Sequence, residues 1–207
     1  MKQRVIIGSG QYNYDIIRQR EYPEGFVTGK RNSYTENTLL EEAGGTCGNV
    51  MCMLQHLGWT AQPQVKLTDN EEGRALADSL ATYGCDNRYV KFEEKGGYFG
   101  LVCTHRRNQQ TGKHEIGRRV IGANGSRFGR RAELRVKGEV EEFLASVETV
   151  PDVYFFDSME AGPRAVAAEL HKRGSLIYFE AESCKEMSKF MKAAEVADIV
   201  KFSNENV

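Results

Sequence analysis

The chain has 207 residues, of which 40% are hydrophobic and 28% are charged, and its formal net charge is -1. This is the composition of an ordinary soluble chain, long enough for one sizeable core or one and a half domains. No apolar run approaches the ~18 residues that a membrane-spanning helix needs, so we expect no membrane partner.

The cysteines are five in number, which is odd, and they do not cluster. Most occupy apolar positions, which favours reduced thiols and a cytoplasmic protein. The histidines fall on different predicted elements, so we expect no structural metal site. Cys47 stands at a predicted helix start, where a thiolate is favoured, but no base is near it in sequence. We therefore predict that Cys47 packs in the core.

The first predicted strand, Arg4–Gly8, runs into a Gly-x-Gly sequence that invites a dinucleotide-binding interpretation. That fingerprint requires a third glycine where Asn13 stands and a helix where Asp15–Ile17 look like a second strand. We therefore do not expect a dinucleotide site. The polar segment Glu21–Glu42 contains proline and glycines and predicts short strands that stand away from the main core.

Gly44 and Gly45 lead into an amphipathic helix whose apolar residues recur at the spacing of one buried face. Asn49 lies in the first turn of that helix, on its polar side. A helix start offers free N–H groups, so two glycines and a side-chain amide could form a cradle for a polyol or an anion. A tight loop followed by a helix cap is the alternative interpretation.

Farther along, a strand to Leu67 and a helix to Gly84 are followed by two more strands of the separated kind, at 88–92 and 97–104. Between His105 and Lys137 the chain has ten basic and two acidic residues. Such a cluster could bind phosphates or nucleic acid. It lacks the regular aromatic interleaving of a single-strand binder, so we predict a solvated hairpin and no nucleic-acid partner.

The last third alternates helix and strand, which is typical of right-handed βαβ units on a parallel sheet. Ligands of such sheets bind beyond the carboxyl ends of the strands. The predicted helices lie at 140–147, 165–173 and 186–196, and the strands at 152–156, 175–179 and 198–202. Asp157 follows the first of these strands, and capping of a helix beginning near Ala161 is its alternative role.

Taken in order, Gly-Gly-x-x-x-Asn on a helix, Leu57-Gly58, a strand, Asp69, Gly73 and a second helix resemble the ribokinase-like (PfkB) carbohydrate kinase family. The resemblance runs along nearly the whole chain. It implies one α/β domain over 1–207, a three-layer α/β/α sandwich with a mostly parallel sheet. It also implies a small β-sheet lid, inserted at about 12–42 and 88–121, which could pair with another subunit's lid in a homodimer.

The resemblance further implies a sugar substrate, with ATP and Mg²⁺ as cofactors. Asp15 matches a carboxylate that receives sugar hydroxyls, a role for which an ionised acceptor is suited. Sugar-binding positions carried over from the family are Asp15, Gly44, Gly45, Asn49 and Asp157. The family's Asn-x-x-Glu element, which holds Mg²⁺, aligns with the cofactor-binding candidates Ser203, Glu205 and Asn206. Ser203 and Asn206 depart from that motif, since Mg²⁺ prefers carboxylate oxygens.

The family's Gly-x-Gly-Asp motif, which supplies the catalytic base, does not occur in these residues. We therefore predict no catalytic residue here, and we expect a portion of a longer protein that is inactive by itself. The complete enzyme is expected to transfer the ATP γ-phosphoryl group to a sugar hydroxyl. Two alternatives stay open: a non-catalytic sugar or nucleoside binder, and a nucleoside kinase with Tyr12, Tyr14 or Phe99 as walls for a base.

Overall fold

The computed structural model describes residues 3–21, 35–94, 99–107, 111–122, 134, 137–181 and 186–202. The strands are β1 Val5–Ser9, β2 Asn13–Glu21, β3 Thr35–Gly44, β4 Thr60–Thr68, β5 Val90–Glu93, β6 Phe99–Arg107, β7 His114–Gly122, β8 Val153–Phe156, β9 Leu176–Ala181 and β10 Ile199–Phe202. The α-helices are α1 Thr46–His56, α2 Glu71–Thr82, α3 Lys137–Ser146, α4 Ala161–Lys172 and α5 Met187–Ala194. None of the helices described is both long and apolar enough to cross a membrane.

Six strands form a parallel sheet in the order β10-β9-β8-β1-β4-β5. From β1 the chain first adds β4 and β5 on one side, and later adds β8, β9 and β10 on the other. The strand order therefore reverses between β1 and β8. In open α/β sheets, the crevice beyond the carboxyl ends of such a strand pair is where ligands bind.

Helices cover both faces of this sheet because β1 alternates its side chains between two apolar cores. Ile6 packs with the α1 residue Met51 and the α2 residue Leu80 in one cluster. Ile7 packs with the α3 residue Phe143 and the α4 residue Leu170 in the other. The molecule is thus a three-layer α/β/α sandwich, as predicted.

Local sequence sets the ends of α2. The Asn70 side chain caps its start by accepting a hydrogen bond from the Gly73 N–H at 2.9 Å. Glu71 and Glu72 in the first turn complement the positive end of the helix dipole. After the helix, Gly84 takes a φ of +89°, a conformation that glycine adopts without steric cost. This sharp stop positions the residues that follow against α1.

The remaining four strands form a small sheet in the order β3-β2-β6-β7, in which β2 is antiparallel to β3 and parallel to β6. The expectation of a separate small β-sheet is confirmed. One strand differs from the prediction: β5, assigned from sequence to the separated strands, pairs with β4 in the parallel sheet. As a short edge strand, β5 is largely exposed and lacks the apolar run of a buried strand. Among the described strands of the second predicted lid segment, β6 and β7 belong to the small sheet and β5 does not.

Candidate functional site

The candidate site begins at the loop that joins β1 to β2, beyond the reversal point of the sheet. The Gln11 N–H donates to both carboxylate oxygens of Asp157, at 2.8 and 3.1 Å. Asp157 follows β8 and is buried, and a Cβ at Gly10 would overlap its carboxylate. Asp157 does not cap α4, because the residue at the cap position is Glu160. The helix-cap alternative for Asp157 is therefore wrong.

The same loop holds the start of α1. The Gln11 carbonyl accepts hydrogen bonds from the Cys47 N–H at 3.1 Å and the Gly48 N–H at 3.3 Å. Gly45 has a φ of +81°, and a Cβ there would lie 2.7 Å from the Gln11 oxygen. Only glycine fits this approach without strain. Gln11 thus links the end of β8, through Asp157, to the beginning of α1.

Cys47 is fully buried, as its predicted packing role requires. Its thiol donates to the Tyr12 hydroxyl at 3.2 Å, and that hydroxyl donates to the Gly8 carbonyl at 2.8 Å. Tyr12 and Tyr14 both belong to the buried core cluster. The Tyr14 hydroxyl donates to Glu41 at 3.0 Å. These two aromatics are therefore not available as walls for a nucleoside base, and the Phe99 side chain lies outside the described residues.

Asp15 lies directly against Gly44, where a Cβ would collide with the Asp15 carboxylate. Asn13, two residues earlier on β2, presents its side chain to the same face of the strand. In the described part of the chain, the Oδ1 atoms of Asn13 and Asp15 are buried and have no hydrogen-bond partner. Buried acceptors without partners are uncommon and costly. Two of them side by side are suited to a ligand rich in hydroxyl donors.

Burial raises the pKa of Asp15 above its ordinary value, and the charge of Glu42 raises it further. Glu42 stands opposite Asp15 in the β2–β3 register. A hydrogen bond from the Asn13 side chain acts in the opposite direction and favours the carboxylate. Asn13 therefore supports the ionised form that can accept hydroxyl hydrogen bonds.

Sequence reasoning missed Asn13, which it treated only as the place of an absent glycine. The signal that could have found it is the i, i+2 spacing from Asp15 on a predicted strand. Of the predicted sugar-binding residues, Asp15 and Gly44 are in contact, and Gly45 is tied to the same loop. Asn49 is an exposed residue in the first turn of α1, with its N–H bonded to the Gly45 carbonyl at 2.9 Å.

The cofactor candidates Ser203, Glu205 and Asn206 lie outside the described residues, so their roles stay predictions. Within the described ranges, no group of three or more His, Cys, Asp or Glu side chains could hold a metal ion. The arrangement just described is therefore a candidate polyol site without an assigned metal centre.

No protein-family model and no curated protein matches the chain. Solved structures do match it over nearly its whole length. Fructokinase from Xylella fastidiosa with bound ATP aligns with a TM-score of 0.62 and 17% identity, over 99% of this chain and 59% of that one. 2-Dehydro-3-deoxygluconokinase from Thermotoga maritima aligns with a TM-score of 0.64 and 14% identity, over 99% of this chain and 61% of that one. The tetrameric inhibited form of phosphofructokinase-2 from Escherichia coli aligns with a TM-score of 0.63 and 15% identity, over 99% of this chain and 62% of that one.

The chain therefore spans less than two thirds of the length of these enzymes. Identities this low carry information on the fold and not on the substrate. The sheet order, the two helical layers and the small sheet all lie within the aligned region, which covers 99% of the chain. The resemblance predicted from sequence is confirmed at this level: the chain has the ribokinase-like fold of the PfkB-type carbohydrate kinases.

Proposed function

We propose that this chain is the sugar-binding part of a ribokinase-like carbohydrate kinase. The complete enzyme would transfer the γ-phosphoryl group of ATP to a sugar hydroxyl. The observation that carries the proposal is the pair of buried acceptors on Asn13 and Asp15, which face Gly44 beyond the switch point of the sheet. The two Oδ1 atoms have no hydrogen-bond donor among the described residues. A sugar carries several hydroxyl groups close together that could donate to both of them.

Each residue of the site has a proposed task. Asp15 and Asn13 accept hydroxyl hydrogen bonds, and Gly44 leaves room for the Asp15 carboxylate. Gly45 allows the start of α1 to approach the loop, where the Cys47 and Gly48 N–H groups donate to the Gln11 carbonyl and hold the loop beside the site. Asp157 holds that loop through the Gln11 N–H and could also contact the sugar. Asn49 would have to turn toward the ligand from its exposed position.

ATP and Mg²⁺ belong to the complete enzyme in this proposal. ATP would supply the phosphoryl group, and Mg²⁺ would neutralise the charge of its phosphates. The described residues do not form a metal site, and the 207 residues contain no Gly-x-Gly-Asp. We therefore assign no step of the transfer to this chain and expect it to bind sugar without turning over ATP.

Two further expectations accompany the proposal. The four described cysteines are thiols, which agrees with a cytoplasmic location. Leu39, Leu40 and Ile116 expose apolar side chains on the small sheet, which agrees with a homodimer formed through that sheet.

The test is calorimetric titration of the chain with a panel of pentoses, hexoses and 2-keto-3-deoxy sugar acids. Asp15→Ala should weaken binding of the preferred sugar by about tenfold or more, because a charged acceptor contributes roughly 1.5–3 kcal/mol. Gly44→Ala should weaken it as well, because the added methyl displaces the Asp15 carboxylate. Gly138→Ala is the matched control: a Cβ there meets no atom within 4 Å.

Binding that survives both Asp15→Ala and Gly44→Ala unchanged would refute the cradle. A non-catalytic sugar-binding protein is the second candidate, favoured by the absence of Gly-x-Gly-Asp from these residues. Sugar-dependent release of ADP by the 207-residue chain would exclude that second candidate, and it would also overturn our expectation that this chain does not turn over ATP.

A further inference from the structure

Asp15 and Glu42 form a cross-strand pair of like charge beside Gly44. The two residues are directly opposite in the antiparallel register of β2 and β3, so their side chains share one face of the small sheet. The Cβ atoms of such a pair lie about 4.5–5.5 Å apart. Both side chains are only partly buried, so a ligand can approach them from solvent. The candidate polyol site is therefore bordered by two carboxylates.

Neither of these carboxylates forms an ion pair with a lysine, arginine or histidine of the described ranges. The side chain that contacts Glu42 is neutral: the Tyr83 hydroxyl donates to its carboxylate at 2.7 Å. On the other side of β2, the β6 residue in register with Asp15 is Leu101, which is uncharged. The negative charge at this position is therefore not balanced by a neighbouring cation in the part of the chain that the structure describes.

Partly buried carboxylates on the parallel sheet and on α3 do have cationic partners. Lys66 donates to Glu139 at 2.7 Å, and Lys201 donates to Glu180 at 2.7 Å. Like charges directly opposite each other on two strands are destabilising, and the charge of Glu42 raises the pKa of Asp15. A positive charge bound between Asp15 and Glu42 would remove this repulsion.

A buried amide beside the pair indicates a ligand with further hydrogen-bond donors. Asn13 lies two residues before Asp15, on the same face of β2. It is 8% exposed, and within the described residues its buried Oδ1 atom has no hydrogen-bond partner. An ammonium group donates three hydrogen bonds, and each hydroxyl group donates one. A ligand carrying both would supply donors to all three side chains.

We propose that the substrate of this site is an amino sugar, whose protonated amine binds between the carboxylates of Asp15 and Glu42 while a hydroxyl group donates to Asn13. The inference rests on the proposed sugar site and adds the charge of the substrate to it. Charge-assisted hydrogen bonds are roughly twice as strong as neutral ones, so the amine favours this position over a hydroxyl group. A sugar acid would bring a further negative charge to the pair and is disfavoured. Glu42 is thus a specificity-determining residue.

The experiment is calorimetric titration of the 207-residue chain with matched sugars, at a pH where the amines are protonated. D-Glucosamine is compared with D-glucose, 1-amino-1-deoxy-D-fructose with D-fructose, and D-glucuronate is the anionic sugar. At least one amino sugar should bind about tenfold more tightly than its neutral parent, because a charge-assisted bond replaces a neutral one. Added salt should reduce this ratio, since the two carboxylates are partly exposed. D-Glucuronate should bind most weakly.

Glu42→Gln should lower the affinity for the amino sugar by about threefold or more and leave the affinity for its neutral parent unchanged. A purely structural role of Glu42 would instead weaken both sugars together. Glu41→Gln is the matched control, because it removes the same charge one position away, where Glu41 accepts from the Tyr14 hydroxyl at 3.0 Å. It should leave the ratio of the two affinities unchanged.

Equal affinities for the amino sugars and their neutral parents would overturn this inference and leave the proposed sugar site in place. Tighter binding of D-glucuronate would overturn it in the same way. A ratio that falls as much in Glu41→Gln as in Glu42→Gln would also overturn it, because the preference would then come from net charge alone. Binding of no sugar at all would overturn the proposed function together with this inference.

Discussion

The surroundings of Asp15 disfavour the ionised form of its carboxyl group. Its pKa is raised by burial and by Glu42, so the ionised side chain is less favourable in the folded than in the unfolded chain. For a carboxyl with a raised folded-state pKa, the native state binds more protons than the unfolded state. Stability is therefore lost as the pH rises from the ordinary aspartate value through the raised one. Perturbed groups of this kind concentrate at functional sites.

We predict that Asp15→Asn raises the melting temperature near pH 7, because it removes the unfavourable charge. The difference from wild type should shrink as the pH falls through the raised pKa, and vanish well below the ordinary value of 3.8, where both states of the wild type are protonated. Scanning fluorimetry across this pH range measures it. Asp78→Asn, at an exposed position on α2, is the matched control and should leave the melting temperature at pH 7 close to that of the wild type. A lower melting temperature for Asp15→Asn at pH 7 would contradict this account.

At the residue scale, motif order was enough to predict that Asp15 lies beside Gly44 and Gly45, whereas their binding of a sugar stays a prediction. Asn13 was missed because it was considered only against a dinucleotide fingerprint. The hydrogen bond from the Gln11 backbone N–H to Asp157 could not be predicted, since the two residues are 146 positions apart in the chain. Contacts of this kind depend on sheet topology, and no local pattern encodes them.

At the element scale, β4 differs from an ordinary buried parallel strand. One of its faces carries four buried polar residues, Gln62, Gln64, Lys66 and Thr68. Gln64 accepts from the Ser9 hydroxyl at 2.6 Å, and Lys66 donates to the α3 residue Glu139 at 2.7 Å. Parallel strands usually bury apolar side chains on both faces. On this face of β4, hydrogen bonds between polar side chains take the place of apolar packing. The packing of α3 against the sheet therefore depends on the ion pair between the buried Lys66 ammonium and Glu139.

We predict that Glu139→Gln lowers the free energy of unfolding by about 1–3 kcal/mol, because the buried Lys66 ammonium loses its nearest charge. Lys66→Met should stay within about 1 kcal/mol of wild type, since it removes the pair together with its desolvation cost. Denaturant titration measures both. Glu142→Gln is the matched control on the same helix: its partner Lys91 is 52% exposed, so the change should be about 0.5 kcal/mol or less. Equal losses for Glu139→Gln and Glu142→Gln would contradict the buried-charge argument.

Most elements could be predicted from periodicity, because helices and strands with apolar faces have clear periods. The edge strand β5 was assigned to the wrong sheet, since sheet membership depends on partners that a short exposed strand does not specify. The polar face of β4 could likewise not be foreseen. Its side chains are satisfied by partners on β1 and α3, far apart in the sequence.

At the scale of the whole molecule, two apolar surfaces are exposed, one on each sheet of the fold. On the small sheet they are Leu39, Leu40 and Ile116, which are 58, 41 and 54% exposed. The other surface lies on α5 and on β10, which pairs only with β9 among the described strands. Its exposed members are Met187, Met191, Ile199 and Phe202. Unpaired edges and apolar patches both invite association with another chain.

We predict that self-association proceeds through the small sheet. A stable dimer buries roughly 1,200 Å² or more, and a broad sheet face can supply this area more readily than one short edge strand. Sedimentation velocity should show a dimer for the wild type. Leu39→Lys combined with Ile116→Lys should shift it to monomer, because two charges would be buried without partners. Ile199→Lys combined with Phe202→Lys is the matched pair on the other surface and should leave the dimer intact. The reverse result, with monomer produced only by the β10 substitutions, would place the association at the edge of the parallel sheet instead.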